Sequence, residues 1–123
     1  MNKKVLIVDD EAYIRRVMEV KLGKGPYQVL LAKNGQEGLH LIETQNPDVV
    51  IVDINMPVMN GITLCETTNR LKKEHPFLTI IITARIFPGD RKWAESMEDT
   101  LFLEKPFSPA EIIRHIEKYL GDE

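Results

Sequence analysis

The stretch VVIVDINMPVMNG, residues 49–61, decides the fold. Four consecutive apolar residues, Val49–Val52, run straight into Asp53. Nothing in the run alternates with a polar residue, so it reads as a strand buried on both faces, as in a parallel sheet. Pro57 and Gly61 then punctuate the chain and mark a loop before the next helix. A carboxylate is among the side chains least willing to leave water. Asp53 at the end of such a strand therefore needs a reason.

Outward from this strand, Val5–Val8, Tyr27–Ala32, Leu78–Ile82 and Leu101–Leu103 are further short apolar runs. Segments with helical spacing separate them: Ala12, Val17, Met18 and Leu22, then Leu39 and Ile42, then Ile62, Cys65 and Leu71. The last helix is the clearest. Ser108-Pro109-Ala110-Glu111 puts a hydroxyl at the N-cap, proline at the first helical position and glutamate where a capping box needs it. Ile112, Ile113, Ile116 and Leu120 come next as one apolar stripe, and Gly121 is a helix stop. Strand and helix thus alternate five times, which predicts a parallel sheet covered on both faces with right-handed crossovers. Residues 84–100 are the least regular, and Pro88-Gly89 predicts a delayed or shortened fourth helix. Ile86 and Phe87 are expected to tuck under that helix; the competing reading leaves them exposed as a contact patch.

The chain of 123 residues is read as one domain, 1–123, long enough to bury roughly two-thirds of its unfolded surface. A formal net charge of −3 supplies no electrostatic reason to bind nucleic acid directly. The single cysteine, Cys65, excludes an internal disulfide and suits a reducing cytosol. The apolar run in MNKKVLIVDD is too short for a signal peptide, and no segment approaches membrane-spanning length. The expectation is a soluble cytoplasmic protein without membrane insertion.

In an open parallel sheet, ligands bind beyond the carboxyl ends of the strands. The first run is followed there by Asp9-Asp10-Glu11, the third by Asp53, the fourth by Thr83 and the fifth by Lys105. Singly, each has a plain explanation: Asp10 could cap the helix starting near Glu11, Asp53 could cap a turn, Thr83 is a β-former and Lys105 a surface charge. Jointly they are harder to dismiss. Two carboxylates about 5 Å apart repel by roughly 3 kcal/mol at an effective dielectric of 20. Clustered acids therefore call for a cation, and all-oxygen ligands favour a hard ion, Mg²⁺ or Mn²⁺. His40, His75 and His115 show no ligand spacing, which argues against zinc. Carboxylates, a divalent ion, a hydroxyl and a lysine make a phosphoryl-handling site in which a carboxylate can act as nucleophile.

The motifs VLIVDDE at 5–11, VDINMPVMNG at 52–61, ITAR at 82–85 and FLEKPFSP at 102–109 resemble the receiver domain of two-component response regulators, the CheY-like superfamily. The resemblance spans the whole chain. It implies a flavodoxin-like, doubly wound five-stranded sheet of order 2-1-3-4-5 with five helices. It implies Asp53 as phosphoacceptor, taking a phosphoryl group from a sensor histidine kinase or a histidine phosphotransfer protein. Asp10, Asp53 and the Asn55 backbone carbonyl would hold Mg²⁺, with Asp9 acting through water. Thr83 and Phe102 would be the switch pair, Lys105 would bind a phosphoryl oxygen, and Lys105-Pro106 resembles the family's cis peptide. Asn55 and Arg85 would tune phosphoryl lifetime. A downstream protein target would read the surface of the fourth helix, fifth strand and fifth helix, with room for a phosphorylation-dependent dimer. The chain departs from the family at Met97-Glu98-Asp99, where a Gly-Ala pair is usual, and at the apolar Ile86-Phe87.

Three other readings compete. An aspartyl-phosphate phosphatase of the haloacid dehalogenase type would want an acid two residues after its nucleophile, where this chain has Asn55, and a cap domain for which the chain has no room. A flavodoxin would want a hydroxyl- and glycine-rich loop where this chain has Asp9-Asp10-Glu11. Within the family, the chain could be the receiver half of a larger regulator with a DNA-binding or enzymatic output. A stand-alone switch that is no enzyme beyond its own phosphorylation and dephosphorylation is the favoured expectation.

Overall fold

The computed structural model describes residues 2–56, 59–84 and 86–121. Strands β1 (Lys3–Val8), β2 (Tyr27–Ala32), β3 (Val49–Asp53), β4 (Leu78–Thr83) and β5 (Thr100–Glu104) form one parallel sheet in the order β2-β1-β3-β4-β5. Helices α1 (Ala12–Leu22), α2 (Gly35–Gln45), α3 (Gly61–Asn69), α4 (Asp90–Glu95) and α5 (Pro109–Leu120) connect and cover them. The α/β fold expected from the sequence, flavodoxin-like with strand order 2-1-3-4-5, is the one observed.

Alternation along the strands divides the core in two. Val5, Ile7, Ile51, Ile80 and Ile82 pack on Met18 and Leu22 of α1 and on Ile112 and Ile116 of α5. Leu6, Val8, Val52 and Ile81 face the other way, toward Ile42 of α2, Leu64 and Cys65 of α3 and Ala94 of α4. Every residue of β3 is buried, as its unbroken apolar run requires. The edge strand β2 is only partly covered: Tyr27 and Ala32 are buried, whereas Gln28 and Leu31 are exposed.

Local chemistry sets the helix ends. Asn34 and Asn60 accept the Glu37 and Thr63 amides at 2.9 Å, capping α2 and α3. Ser108 accepts the Glu111 amide at 3.3 Å with Pro109 in the first turn, and Gly121, at φ 68°, ends α5. Beyond α3 a short 3₁₀ turn, Arg70–Lys73, absorbs Leu71, which the helical spacing had assigned to the same helix.

Three expectations need correction. β1 begins at Lys3 and β5 at Thr100, before the apolar runs that announced them, because neighbouring strands supply backbone pairing to polar residues too. α1 starts at Ala12 with Glu11 in the capping position, so Asp10 is not its N-cap. The delayed fourth helix is real: Gly89 adopts φ 91° and only Asp90–Glu95 are α-helical. That brevity defeats the burial expected of Phe87, which is 52% exposed; Ile86 is half-buried.

Candidate functional site

Register alone brings the polar residues together. Val8 pairs with Val52, so Asp9 and Asp53 leave adjacent strands side by side, with strands spaced about 4.8 Å apart. Asp53 pairs with Ile82, and Thr83 with Glu104, which places Thr83 one step and Lys105 two steps farther along the same rim. By alternation Asp53 and Lys105 continue the α1–α5 face, whereas Thr83 and Phe102 continue the face of Ile81, toward α3 and α4. The two residues expected to form the switch pair thus approach the rim from the α3–α4 side.

The side chains converge as the register demands. Carboxylate oxygens of Asp9, Asp10 and Asp53 lie within 4.8 Å of one another. The Lys105 ammonium lies 3.3 Å from Asp9 Oδ2, 3.3 Å from Asp53 Oδ2 and 2.7 Å from Glu11 Oε1. Asp9 and Thr83 are wholly buried and Asp53 nearly so, while Asp10 and Asn55 are exposed. Backbone amides complete the acceptors: Glu11 N donates to Asp9 Oδ1 at 2.9 Å and Asn55 N to Asp53 Oδ1 at 3.2 Å. Asp53 therefore does cap a turn, as its plain reading held, but with only one of its two oxygens.

Burial pushes the Asp9 carboxyl above its ordinary value, outweighing the Glu11 amide and Lys105, and Asp53 adds to the rise. Asp53 is likewise raised, first by burial and further by Asp10, against the opposing pull of Lys105 and the Asn55 amide. For Lys105, burial lowers the ammonium, but Glu11, Asp9 and Asp53 together hold it above its ordinary range. Among the described residues Lys105 is the cation that contacts these carboxylates, and the oxygen-rich, histidine-free cluster fits a hard divalent ion.

Gly61 and Gly35 fix the loop that carries Asn55. Gly61 N donates to Ile54 O at 2.8 Å, and a Cβ on Gly61 would stand 2.2 Å from Asp53 O. Gly35 N donates to Met59 O at 2.9 Å, and a Cβ there would meet that oxygen at 2.2 Å. Gly61 is thus required by close approach and not by an unusual φ, which its role as punctuation did not disclose. The turn expected at Pro57 and the lifetime-tuning role expected of Arg85 fall outside the described residues.

The peptide bond Lys105-Pro106 is cis, and Lys105 N donates to Thr83 O at 2.7 Å. Phe102 is half-buried with the Arg91 guanidinium 5.5 Å from its ring centroid. The sequence grouped Glu11 with the other acids without giving it a role; its contact with Lys105 spans 94 residues and carries no local signal.

The model of the response regulator receiver domain matches residues 5–117. Among curated proteins, the alkaline phosphatase synthesis transcriptional regulatory protein PhoP of Bacillus subtilis is 32% identical over 98% of this chain and 49% of its own length. The probable transcriptional regulator ycf27 of Guillardia theta is 38% identical over 97% of this chain and 46% of its own. The chain spans about half the length of these relatives. Among solved structures, the Francisella response regulator 1452 receiver domain superposes with a TM-score of 0.83 at 31% identity, covering 99% of this chain and 100% of its own. The chemotaxis protein CheY4 of Vibrio cholerae gives 0.85 at 28% identity, covering 96% and 98%. Strand order, the convergence of Asp9, Asp10, Asp53, Thr83 and Lys105 on one rim, and a family match over nearly the whole length lead to one assignment: this chain belongs to the response regulator receiver-domain family.

Proposed function

We propose that the protein is a phosphorylation-driven signalling switch whose phosphoacceptor is Asp53. The observation that carries this reading is a nearly buried carboxylate at a strand end, with one oxygen held by a backbone amide and the other 3.3 Å from Lys105. The Asp53 carboxylate attacks phosphorus, the bond to the leaving group breaks, and an aspartyl phosphate results. The donor is a phosphohistidine on a sensor kinase or a phosphotransfer protein. Lys105 neutralises a phosphoryl oxygen and the Thr83 hydroxyl donates to another.

The acidic cluster fits Mg²⁺, or Mn²⁺, held by Asp10, Asp53 and the Asn55 backbone carbonyl, with Asp9 acting through water. When bound, the ion supplies positive charge to offset the phosphoryl oxygens. Asn55 and Arg85 tune the lifetime of the phosphoryl group. Beside Lys105 an open groove of about 710 Å³ is lined by Ile14, Val17, Phe107 and Pro109, with Tyr13 at its edge 75% exposed. Such a surface suits docking of the donor protein next to Asp53.

About two negative charges arrive with the phosphoryl group. If Thr83 and Lys105 bind them better in one arrangement of residues 84–107, the population shifts toward it and Phe102 turns inward. A protein target then reads α4, β5 and α5, on which a phosphorylation-dependent dimer could also form. Alanine at both Ile86 and Phe87 is expected to weaken binding of that target and leave phosphorylation intact; unchanged binding removes these residues from the output surface.

We place the protein in the cytoplasm, as a single receiver unit over 1–123, without direct nucleic-acid contacts and without catalysis beyond its own phosphorylation and dephosphorylation. Among the described residues no helix is long and apolar enough to cross a membrane. A second reading comes from relatives roughly twice as long, two of them named as transcriptional regulators: the same switch as the input half of a larger regulator. The phosphatase reading is weaker, because Asn55 stands where its general acid would be.

The test is incubation with acetyl phosphate and Mg²⁺, read by intact mass. The wild type should gain one phosphate and Asp53→Asn none. No gain in the wild type with metal present would sink the mechanism.

A further inference from the structure

We propose that Glu11 is a positioning residue: it tethers the Lys105 ammonium in the unmodified site and competes with an incoming phosphoryl group for it. This rests on the phosphoacceptor reading of Asp53. An ammonium has three N–H donors, and those of Lys105 face three carboxylates, Glu11 at 2.7 Å and Asp9 and Asp53 at 3.3 Å. The shortest contact goes to the residue outside the metal-binding cluster.

Glu11 is placed for this by its backbone. It occupies the capping position of α1 in extended conformation, its own amide bound to Asp9 Oδ1, and its side chain makes no capping hydrogen bond. Its carboxylate reaches instead to Lys105, on the far side of the cluster in sequence. The Lys105 side chain, 12% exposed, is confined, whereas that of Glu11, 57% exposed, is free to release it. A phosphoryl group on Asp53 needs an N–H that Glu11 holds, and the Glu11 charge also opposes the anionic donor.

The experiment compares wild type, Glu11→Gln and Glu11→Asp in phosphorylation by acetyl phosphate with Mg²⁺, read by intact mass over time. A small donor removes any effect of partner docking. Glu11→Gln should react about two- to fivefold faster, the size expected from releasing one partly exposed ion pair. Glu11→Asp keeps the charge but is one methylene too short to hold the 2.7 Å contact, so it should accelerate in the same direction. Thermal midpoints near that of the wild type establish that both variants fold; where one does not, the other carries the test. Unchanged or slower reaction of Glu11→Gln overturns the tether. A fast Gln variant beside an Asp variant at the wild-type rate overturns it as well, leaving charge alone. If no protein, wild type included, takes up phosphate, the Asp53 reading itself fails.

Discussion

Two lysines leave water at opposite ends of this sheet, and they meet opposite fates. Lys105, beyond the carboxyl ends of the strands, faces the carboxylates of Glu11, Asp9 and Asp53 and is held above its ordinary pKa. Lys72, in the 3₁₀ turn near the other end, is only 4% exposed, and it donates hydrogen bonds to neutral oxygens. Its ammonium donates to the carbonyl of Glu98, and to Asp99 O and Thr100 Oγ1, each at 3.3 Å. The Phe77 ring centroid lies 4.9 Å away. Burial pulls Lys72 down to about 8, against weaker upward pulls from Cys65, Asp99 and Glu98. The same side chain is thus a charge neutraliser where acids crowd it and a clasp where neutral oxygens receive it. Lys72 joins the end of α3 to the turn before β5, where Asp99 adopts φ 47°. Trp93 Nε1 adds a second link, 3.0 Å from Glu66 Oε2, between α4 and α3.

Substitution of Lys105 carries the largest expected effect. Lys105→Met should slow phosphorylation by acetyl phosphate about 100-fold, the usual effect of losing a donor to developing charge. A loss below about threefold, read by intact mass, would mean that the carboxylate-bound lysine has no part in the chemistry. Lys72→Met should leave that rate unchanged but destabilise the fold by about 2–3 kcal/mol, because it strands the carbonyls of Glu98 and Asp99. Urea unfolding measures it, and a change under about 0.5 kcal/mol would demote the clasp to a bystander.

Alkaline titration should separate the two. Native Lys72 releases its proton from about 8, whereas the unfolded chain holds it to 10.5. The unfolded state therefore binds more protons across this window, and stability contributed by Lys72 rises with pH by up to about 3 kcal/mol. Lys105 has the opposite sign: its contribution is fully present below the unfolded value of 10.5 and is lost as pH climbs through its higher native one. Urea midpoints between about pH 8 and 10 should rise in the wild type and flatten in Lys72→Met; parallel curves would remove the clasp's titration. The smallest effect expected is from Mg²⁺. At roughly ten times its dissociation constant it should stabilise by about 1.4 kcal/mol. The increment should persist in Lys72→Met and vanish in Asp10→Asn, and equal increments in both variants would place the ion elsewhere.

Legibility tracked locality and period. The carboxylates, hydroxyl and lysine at the strand ends were readable because parallel strands deliver their carboxyl ends to one rim, so the residues just past each apolar run are already neighbours. Lys72 was hidden among Arg70, Leu71, Lys73 and Glu74, a stretch that reads as solvated charge. One trace existed: Cys65, Thr68 and Lys72 recur at three- and four-residue steps, and all three are buried. Phe87 misled in the other direction, since an apolar residue after a strand is expected inside, and only the short α4 leaves it uncovered.

From the sequence alone came the alternation of strands and helices, the two-sided burial of β3 and the identity of the rim residues, because each depends on period and on position within a single element. The tertiary structure decided what those residues touch. The three carboxylates on Lys105, the close approach of Gly61 to Asp53 O and the carbonyl cradle of Lys72 join residues that no local pattern links. Period says which face a side chain takes; only packing says how deeply it is buried and which partner stands there, and the balance of the two determines whether a lysine gains or loses its hold on a proton.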